Sequence, residues 1–313
     1  MMKVSIVIPV YYNEGKLKPL YADLKEKFIE KIDFEYEIIM INDGSQDNSY
    51  STMQDLANQD KNIKIYSLSR NFGSHAAVLC GLSKATGDCA VIKAADLQEP
   101  TELLLEMIAE WKQGYNVVLA VRKGRDEEKS KEFFANFYYW LVRKFALKQM
   151  PKQGFDVYLI DRKVINVLEE LDEKNSALTG QILWSGFRTK HVYYRRLERK
   201  IGKSRWTLKK KIALVKDTLF SFTALPIFIV SIIGLFSFLG AIVWGICVLV
   251  GKLAGKIFVN GWTTLMIFNL LSFGIIMLTL GILGEYLWRT FDASRNRPLY
   301  IVEEANEQNE DTR

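Results

Sequence analysis

The strongest constraint on this chain is two long runs without a single charged residue, Thr218 to Gly251 (34 residues) and Ile257 to Gly284 (28 residues). About 20 apolar residues in a helix cross the hydrocarbon of a bilayer. In lipid only helices and closed barrels satisfy their own backbone. The pattern predicts two membrane-spanning helices, near residues 225–250 and 263–286, joined by a short outer loop carrying Lys252 and Lys256.

The overall hydrophobic content, 49%, is ordinary because residues 1–217 read as soluble and offset the apolar end. Charge is divided just as unevenly. The net value is +6, yet residues 188–216 hold twelve Lys/Arg against one acid, Glu198, or +11, which leaves −5 for the rest. A generally basic, nucleic-acid-binding chain is excluded. A basic block just before the first apolar run is drawn to anionic headgroups and keeps its side of the membrane cytoplasmic. The first ten residues lack the charged and apolar regions of a signal peptide, so the preceding domain is expected in the cytosol. Cys80, Cys89 and Cys247 have no metal-binding or redox spacing, and the histidines are two, His75 and His191. Any metal is expected to be a hard cation with oxygen ligands.

From Val4 to Val121 strand and helix patterns alternate. Continuous apolar runs at 4–10, 36–41, 63–68, 89–94 and 116–121 read as strands. Helical spacing marks 17–32, 75–85 and 100–112, the last with Pro100 in its first turn. The alternation predicts an α/β domain with a mostly parallel sheet covered on both faces. Ligands of such sheets bind at the carboxyl ends of the strands. Residues 128–147 form an aromatic-rich helix, for core packing or for an approach to lipid. Residues 207–222 form a basic amphipathic helix that fits the membrane interface or packs on the domain. Four segments result: a cytosolic domain to 206, the interfacial helix 207–222, a two-helix membrane region 223–288, and a cytosolic tail 289–313 whose acidic end from Glu303 reads as disordered.

Neither GxGxxG nor a P-loop occurs; Gly202-Lys203-Ser204 lacks the required glycine at 197, which is Leu. Asp43, in Asn42-Asp43-Gly44-Ser45, is placed to accept a hydrogen bond from a base or ribose, or simply to cap the turn. Asp96 and Gln98 follow the fourth strand. Two apart in an extended segment, they point the same way and could grip a divalent cation; a solvated loop is the plain alternative. Arg70 to His75 suits phosphate or hydroxyl contacts at a helix start. Asp156 follows Gln153-Gly154-Phe155. Arg199 to Trp206 lies beside the interfacial helix, where it could hold a phosphate or merely attract anionic lipid.

In order, Val4-Ser5-Ile6-Val7-Ile8-Pro9-Val10-Tyr11-Tyr12-Asn13-Glu14, Asn42 to Ser45, Arg70 to Gly73, Asp96 to Pro100, Asp156 with Asp161-Arg162-Lys163, and Gly202 to Arg205 resemble glycosyltransferase family 2. The two apolar runs extend the likeness to its polyprenyl-phosphate branch, which contains dolichyl-phosphate mannose synthase and the bactoprenol glucosyltransferases. The resemblance implies a GT-A (Rossmann-like) domain and inverting transfer of a hexose or N-acetylhexosamine, from a UDP-linked donor by family habit, to a polyprenyl phosphate such as undecaprenyl phosphate. It implies Mg²⁺ or Mn²⁺ held by Asp96 and Gln98, and a nucleotide-sugar pocket lined by Pro9, Tyr11, Glu14, Asp43, Arg70 and Asp96. Arg199, Ser204 and Arg205 would meet phosphates of the acceptor or donor. Asp96, Asp156 and Arg205 would serve the reaction, in a membrane-bound homo-oligomer, a tetramer in bacterial relatives. Two departures stand out. Ala94 replaces the first acid of the usual Asp-x-Asp-x-Gln, and Tyr158 stands where many relatives have Arg. A processive polysaccharide synthase is the alternative enzyme, although Gln181-Ile182-Leu183-Trp184 lacks the Arg of its Gln-x-x-Arg-Trp signature. A nucleotide-sensing membrane scaffold is the alternative without catalysis.

Overall fold

The computed structural model describes residues 2–123, 138–171, 173, 176–197, 208–254 and 261–306. They fall into two units, Met1–Val215 with Pro298–Arg313, and Lys216–Arg297.

In the first unit the chain runs β1 (Lys3–Val10), α1 (Glu14–Lys27), β2 (Glu35–Asn42), α2 (Ser49–Gln59), β3 (Ile63–Leu68), α3 (Ser74–Lys84), β4 (Cys89–Ile92), α4 (Leu103–Lys112) and β5 (Val117–Arg122). A helical segment α5 (138–145) follows, then β6 (Phe155–Asp161), α6 (Arg162–Glu170), α7 (Leu178–Trp184) and β7 (Thr189–Tyr194). Near the C-terminus, β8 (Val302–Asn306) joins the same sheet.

Among the described residues the sheet has eight strands in the order β7-β5-β6-β4-β1-β2-β3-β8. All pairings are parallel except those of β6 and β8. The five apolar runs became β1 to β5 because helices cover both faces: Val4, Ile6, Val7, Ile8, Ile38 to Ile41, and Val117 to Ala120 are all buried. The reading of 89–94 as one strand needs correction, since β4 ends at Ile92. The amide of Lys93 still donates to Val7 O at 3.0 Å, but the chain then turns. Helix α4 begins at Leu103, so Pro100 precedes it, and Leu103 N bonds back to Pro100 O at 3.2 Å. The aromatic helix is helical over 138–145, and residues 124–137 lie outside the described residues. There Trp140 and Phe145 are exposed while Val142 is buried.

The tail needs a second correction. Read as disordered from Glu303 to Arg313, it pairs antiparallel with β3 through Asn306 and closes that edge of the sheet, while residues 307–313 lie outside the described residues. Tyr300 anchors its approach through Ser83 Oγ at 2.9 Å.

Helix α8 (Leu208–Phe222) crosses from the first unit into the second. The second unit continues with α9 (Leu225–Leu253) and α10 (Trp262–Ser294), 29 and 33 residues long and apolar enough to cross a membrane. Thr218 is buried within this unit, and four charges meet beside it. Lys216 reaches Glu285 at 3.0 Å, and Arg289 reaches Glu285 at 2.9 Å and Asp217 at 2.8 Å. The quartet is neutral in sum, which suits charges at the border of an apolar span.

Candidate active site

Every parallel strand ends on one edge of the sheet, and three of the loops at that edge are stitched together. In the β1–α1 loop, Tyr11 N donates to Asn13 Oδ1 at 3.0 Å, and Tyr12 N crosses to Ser45 Oγ, also at 3.0 Å. Asn13 N donates to Ser49 Oγ at 2.8 Å, while Glu14 Oε2 accepts Asn48 N at 2.7 Å. Glu14 thus steadies the start of α2, a helix that the sequence reading did not single out. Pro9 pairs with Ile41 at the end of β1 and is partly exposed.

Asp43 joins the second loop to the third. Its side chain is buried, 3% exposed. Oδ1 accepts Phe72 N at 2.7 Å, and Oδ2 accepts Gly73 N at 3.0 Å. Gly44 permits this approach. It has φ +65°, and a Cβ there would overlap the backbone of Arg70 and Asn71. The two sequence motifs Asn42 to Ser45 and Arg70 to Gly73 are therefore one structural unit. Arg70 is exposed, with its guanidinium stacked 4.0 Å over Phe72. His75, in the first turn of α3, is drawn down to about 4 by burial, with the Gln181 amide opposing, so it offers no positive charge at neutral pH.

Across β1 lies a second, charged cluster. Strands β2 and β4 flank β1, so Asp43 and Asp96 follow strands about 10 Å apart. The segment after β4 is not extended, contrary to the sequence reading. Leu97 has φ +57°, and Gln98 N folds back to Asp96 Oδ1 at 3.3 Å. The side chains of Asp96 and Gln98 are consequently set by the turn and not by strand alternation. Gln98 Nε2 donates to Leu197 O at 3.3 Å, and Gln98 Oε1 accepts Arg196 Nη2 at 2.7 Å. Arg196 Nη2 is also 3.8 Å from Asp96 Oδ2.

Beneath this turn, Lys93 is fully buried and donates to Glu99 O at 3.1 Å. Burial pulls the Lys93 ammonium below its usual range, opposed by Glu99, Asp23, Asp96 and Glu102. Burial pushes the Glu99 carboxyl up, helped by Asp96 and opposed by Lys93, Arg196 and Arg122.

Asp156 reaches the same edge because β6 runs antiparallel to its neighbours. In the β5–β6 register Ala120 faces Val157 and Val121 faces Phe155, which leaves Asp156 as the extra residue of a bulge. A bulge re-aims its extra side chain out of the ladder. Asp156 is 47% exposed and forms an ion pair with Arg122, the last residue of β5. Gly154, two residues before it, has φ +69° and packs so closely under Tyr139 that a Cβ would overlap the ring.

The family model for glycosyl transferase family 2 matches residues 5–167, slightly more than half of the chain and all the loops just described except the Arg196 segment. The chain belongs to glycosyltransferase family 2. It is a glycosyltransferase with the GT-A fold. The likeness to curated family 2 relatives runs nearly end to end. A Bacillus subtilis protein described as an uncharacterized glycosyltransferase, YkcC, is 37% identical over 97% of this chain and 94% of that one. A second from the same organism, the putative glycosyltransferase CsbB, is 35% identical over 98% and 93%. The bactoprenol glucosyl transferase of Shigella phage SfII is 32% identical over 98% of this chain and 100% of that one.

The transferase offers little to a metal on its own. Among the described residues no group of three or more His, Cys, Asp or Glu converges on a cation. With Ala94 beside it, Asp96 brings one carboxylate, and the Gln98 amide is engaged at both ends. One carboxylate together with substrate phosphates is a donor set that Mg²⁺ accepts. Asp96 therefore fits a cation that arrives with a diphosphate, whereas Gln98 serves as a strut in this arrangement. Arg199, Ser204 and Arg205 lie outside the described residues. The sequence reading gave no individual role to Arg122, Arg196, Lys93 or Glu99, although Glu99 lies in the Asp96 to Pro100 motif and Arg196 in the basic block. Arg122 had a signal, as the first charge after an apolar strand at its carboxyl end.

Proposed function

We propose that this transferase moves a single hexose or N-acetylhexosamine, with inversion, from a UDP-linked sugar to a polyprenyl phosphate at the cytoplasmic face of the membrane. The observation that carries the acceptor is the extent of the likeness to the phage bactoprenol glucosyl transferase. The family model stops at residue 167, but that likeness spans 98% of the chain and so includes both apolar helices. The topology fits. Lys216–Arg297 is flanked on both sides by parts of the first unit, which calls for an even number of crossings. Two spans meet that requirement, and the basic residues before them favour a cytoplasmic first unit.

In this reading the Asp43 unit takes the nucleoside, with Pro9, Tyr11, Glu14 and Arg70 around it. Asp96 holds Mg²⁺ or Mn²⁺ against the donor diphosphate, and the cation's contribution is to neutralise charge on the leaving group. A phosphate acceptor is already anionic near neutrality, with a second pKa of about 6. It needs positioning more than deprotonation. Asp156, held by Arg122, suits that orienting role. Arg199, Ser204 and Arg205 are assigned to the acceptor phosphate, so Arg205→Ala should raise KM for the lipid more than for the nucleotide-sugar.

The test is purified full-length protein, undecaprenyl phosphate, Mg²⁺ or Mn²⁺, and a panel of radiolabelled nucleotide-sugars. Label in a lipid carrying one sugar, with inverted anomeric configuration by NMR, is the expected result. Label in a polymer would support a processive synthase. Nucleotide binding without transfer to any acceptor would support a scaffold.

A further inference from the structure

A side-chain cation stands beside the pair of residues that the sequence assigns to a divalent metal. Arg196, two residues past the end of β7, directs Nη2 to Gln98 Oε1 at 2.7 Å and to within 3.8 Å of Asp96 Oδ2. The backbone around it is pinned. Leu197 N donates to Gln98 O at 2.8 Å, and Leu197 O accepts Gln98 Nε2 at 3.3 Å. A guanidinium at the same corner of the fold therefore follows from the strand pairing and the turn, with only the side chain left to move. Arg196 Nε is buried and has no hydrogen-bond partner among the described residues. A buried charged donor without an acceptor points to an anionic group that completes the site.

We propose that Arg196 is a built-in cation of the donor site, which compensates Asp96 and Gln98 until a diphosphate draws it away. Before the donor arrives, the guanidinium balances the carboxylate and occupies the amide oxygen, so a free divalent cation binds weakly. A diphosphate offers the planar fork of Arg196 two oxygens at once, which a carboxylate at 3.8 Å and a single amide oxygen do not match. Once the fork has turned to the diphosphate, the Asp96 carboxylate no longer faces the guanidinium and can meet the cation that the diphosphate carries. Metal and donor then bind together, in place of metal first. The inference deepens the proposed donor site and rests on it.

The experiment uses the full chain in detergent micelles, titrated with Mn²⁺ alone by electron paramagnetic resonance and with pyrophosphate by calorimetry. Removing a neighbouring charge should change each affinity by about tenfold. Arg196→Gln is expected to bind Mn²⁺ alone more tightly and pyrophosphate more weakly than wild type. Arg196→Lys keeps the charge and should stay near wild type for Mn²⁺, which also serves as the control should the Gln variant melt early. Unchanged Mn²⁺ binding in Arg196→Gln overturns the proposal, as does a Lys variant that behaves like Gln. Neither titration measures sugar transfer, so failure here leaves the proposed reaction standing, and failure of transfer leaves this result standing.

Discussion

The carboxylate of Asp43 accepts the backbone amide of Gly73, 30 residues further along the chain, at 3.0 Å. With the Phe72 amide on its other oxygen, this one side chain holds the β3–α3 loop against the end of β2. Asp43→Ala leaves both amides without acceptors, and hydrogen bonds to a charged group are worth about 1.5–3 kcal/mol. Amide hydrogen exchange at Phe72 and Gly73 should accelerate accordingly, and KM for the donor should rise. Unchanged exchange at both amides would show that the Asp43 carboxylate does not position the loop, leaving that to Gly44 and to the bond from Asn71 Nδ2 to Asp43 O.

Glu37 gives the first unit a defined response to acid. Its carboxylate lies inside the sheet and accepts Ser5 Oγ and Thr86 N, each at 2.6 Å, with Lys64 Nζ at 3.0 Å. Burial by itself would raise the pKa, but Ser5, Thr86 and Lys64 together outweigh it and bring Glu37 down from 4.5 to about 2. A depressed carboxylate stabilises the fold above its unfolded pKa, and that stability drains away as pH falls toward the folded value. Thermal melts should therefore show a Glu37-dependent loss between about pH 4.5 and pH 2, and Glu37→Gln should lack that component. A Gln variant whose melting temperature falls with acid as steeply as wild type would count against the assignment.

Asp156 and Arg122 are expected to act as one unit. Misplacing an orienting group costs about a hundredfold in rate. Asp156→Asn and Arg122→Met should each lower kcat on that scale, and the double variant should be little worse than either, because partners in one ion pair are not additive. Steady-state kinetics on the four proteins decides this. Losses that multiply, or full turnover in Asp156→Asn while Asp96→Ala is dead, would remove Asp156 from the mechanism.

Truncation after Tyr300 should be damaging, even though it deletes only an acidic tail. It strips β8 from β3 and exposes an edge strand, a template for pairing with other chains. Size-exclusion chromatography should show aggregation, and Glu303→Lys, which keeps the strand, should not. A truncated protein that stays monodisperse and melts like wild type would show that β8 is dispensable.

Strands β1 to β5 were legible because each is a continuous apolar run ended by turn residues. The loops after β2 and β3 were legible for the same reason, whereas the segment after β4 was read as extended and is a turn. β6 was not legible. Its second residue, Asp156, sits at a bulge, and its antiparallel direction depends on partners in β4 and β5 that no local pattern names. β8 was hidden more deeply, since Val302-Glu303-Glu304-Ala305-Asn306 has no alternation and only two apolar residues, Val302 and Ala305. Its strand state comes from the free edge of β3, a tertiary preference that overrides propensity. Arg196 was visible only as part of a basic block. Its partner Gln98 lies 98 residues earlier, and only the reach of the segment after β7 to the loop after β4 turns a lipid-attracting charge into part of the proposed donor site.

The placement of β8 also orders events in time. Residues 302–306 leave the ribosome after both apolar helices, yet they finish a sheet whose other strands emerged long before. A newly made chain thus keeps the edge of β3 open until both apolar helices have been synthesised. Until then the open edge can pair with other chains, the exposure that makes incomplete chains depend on chaperones.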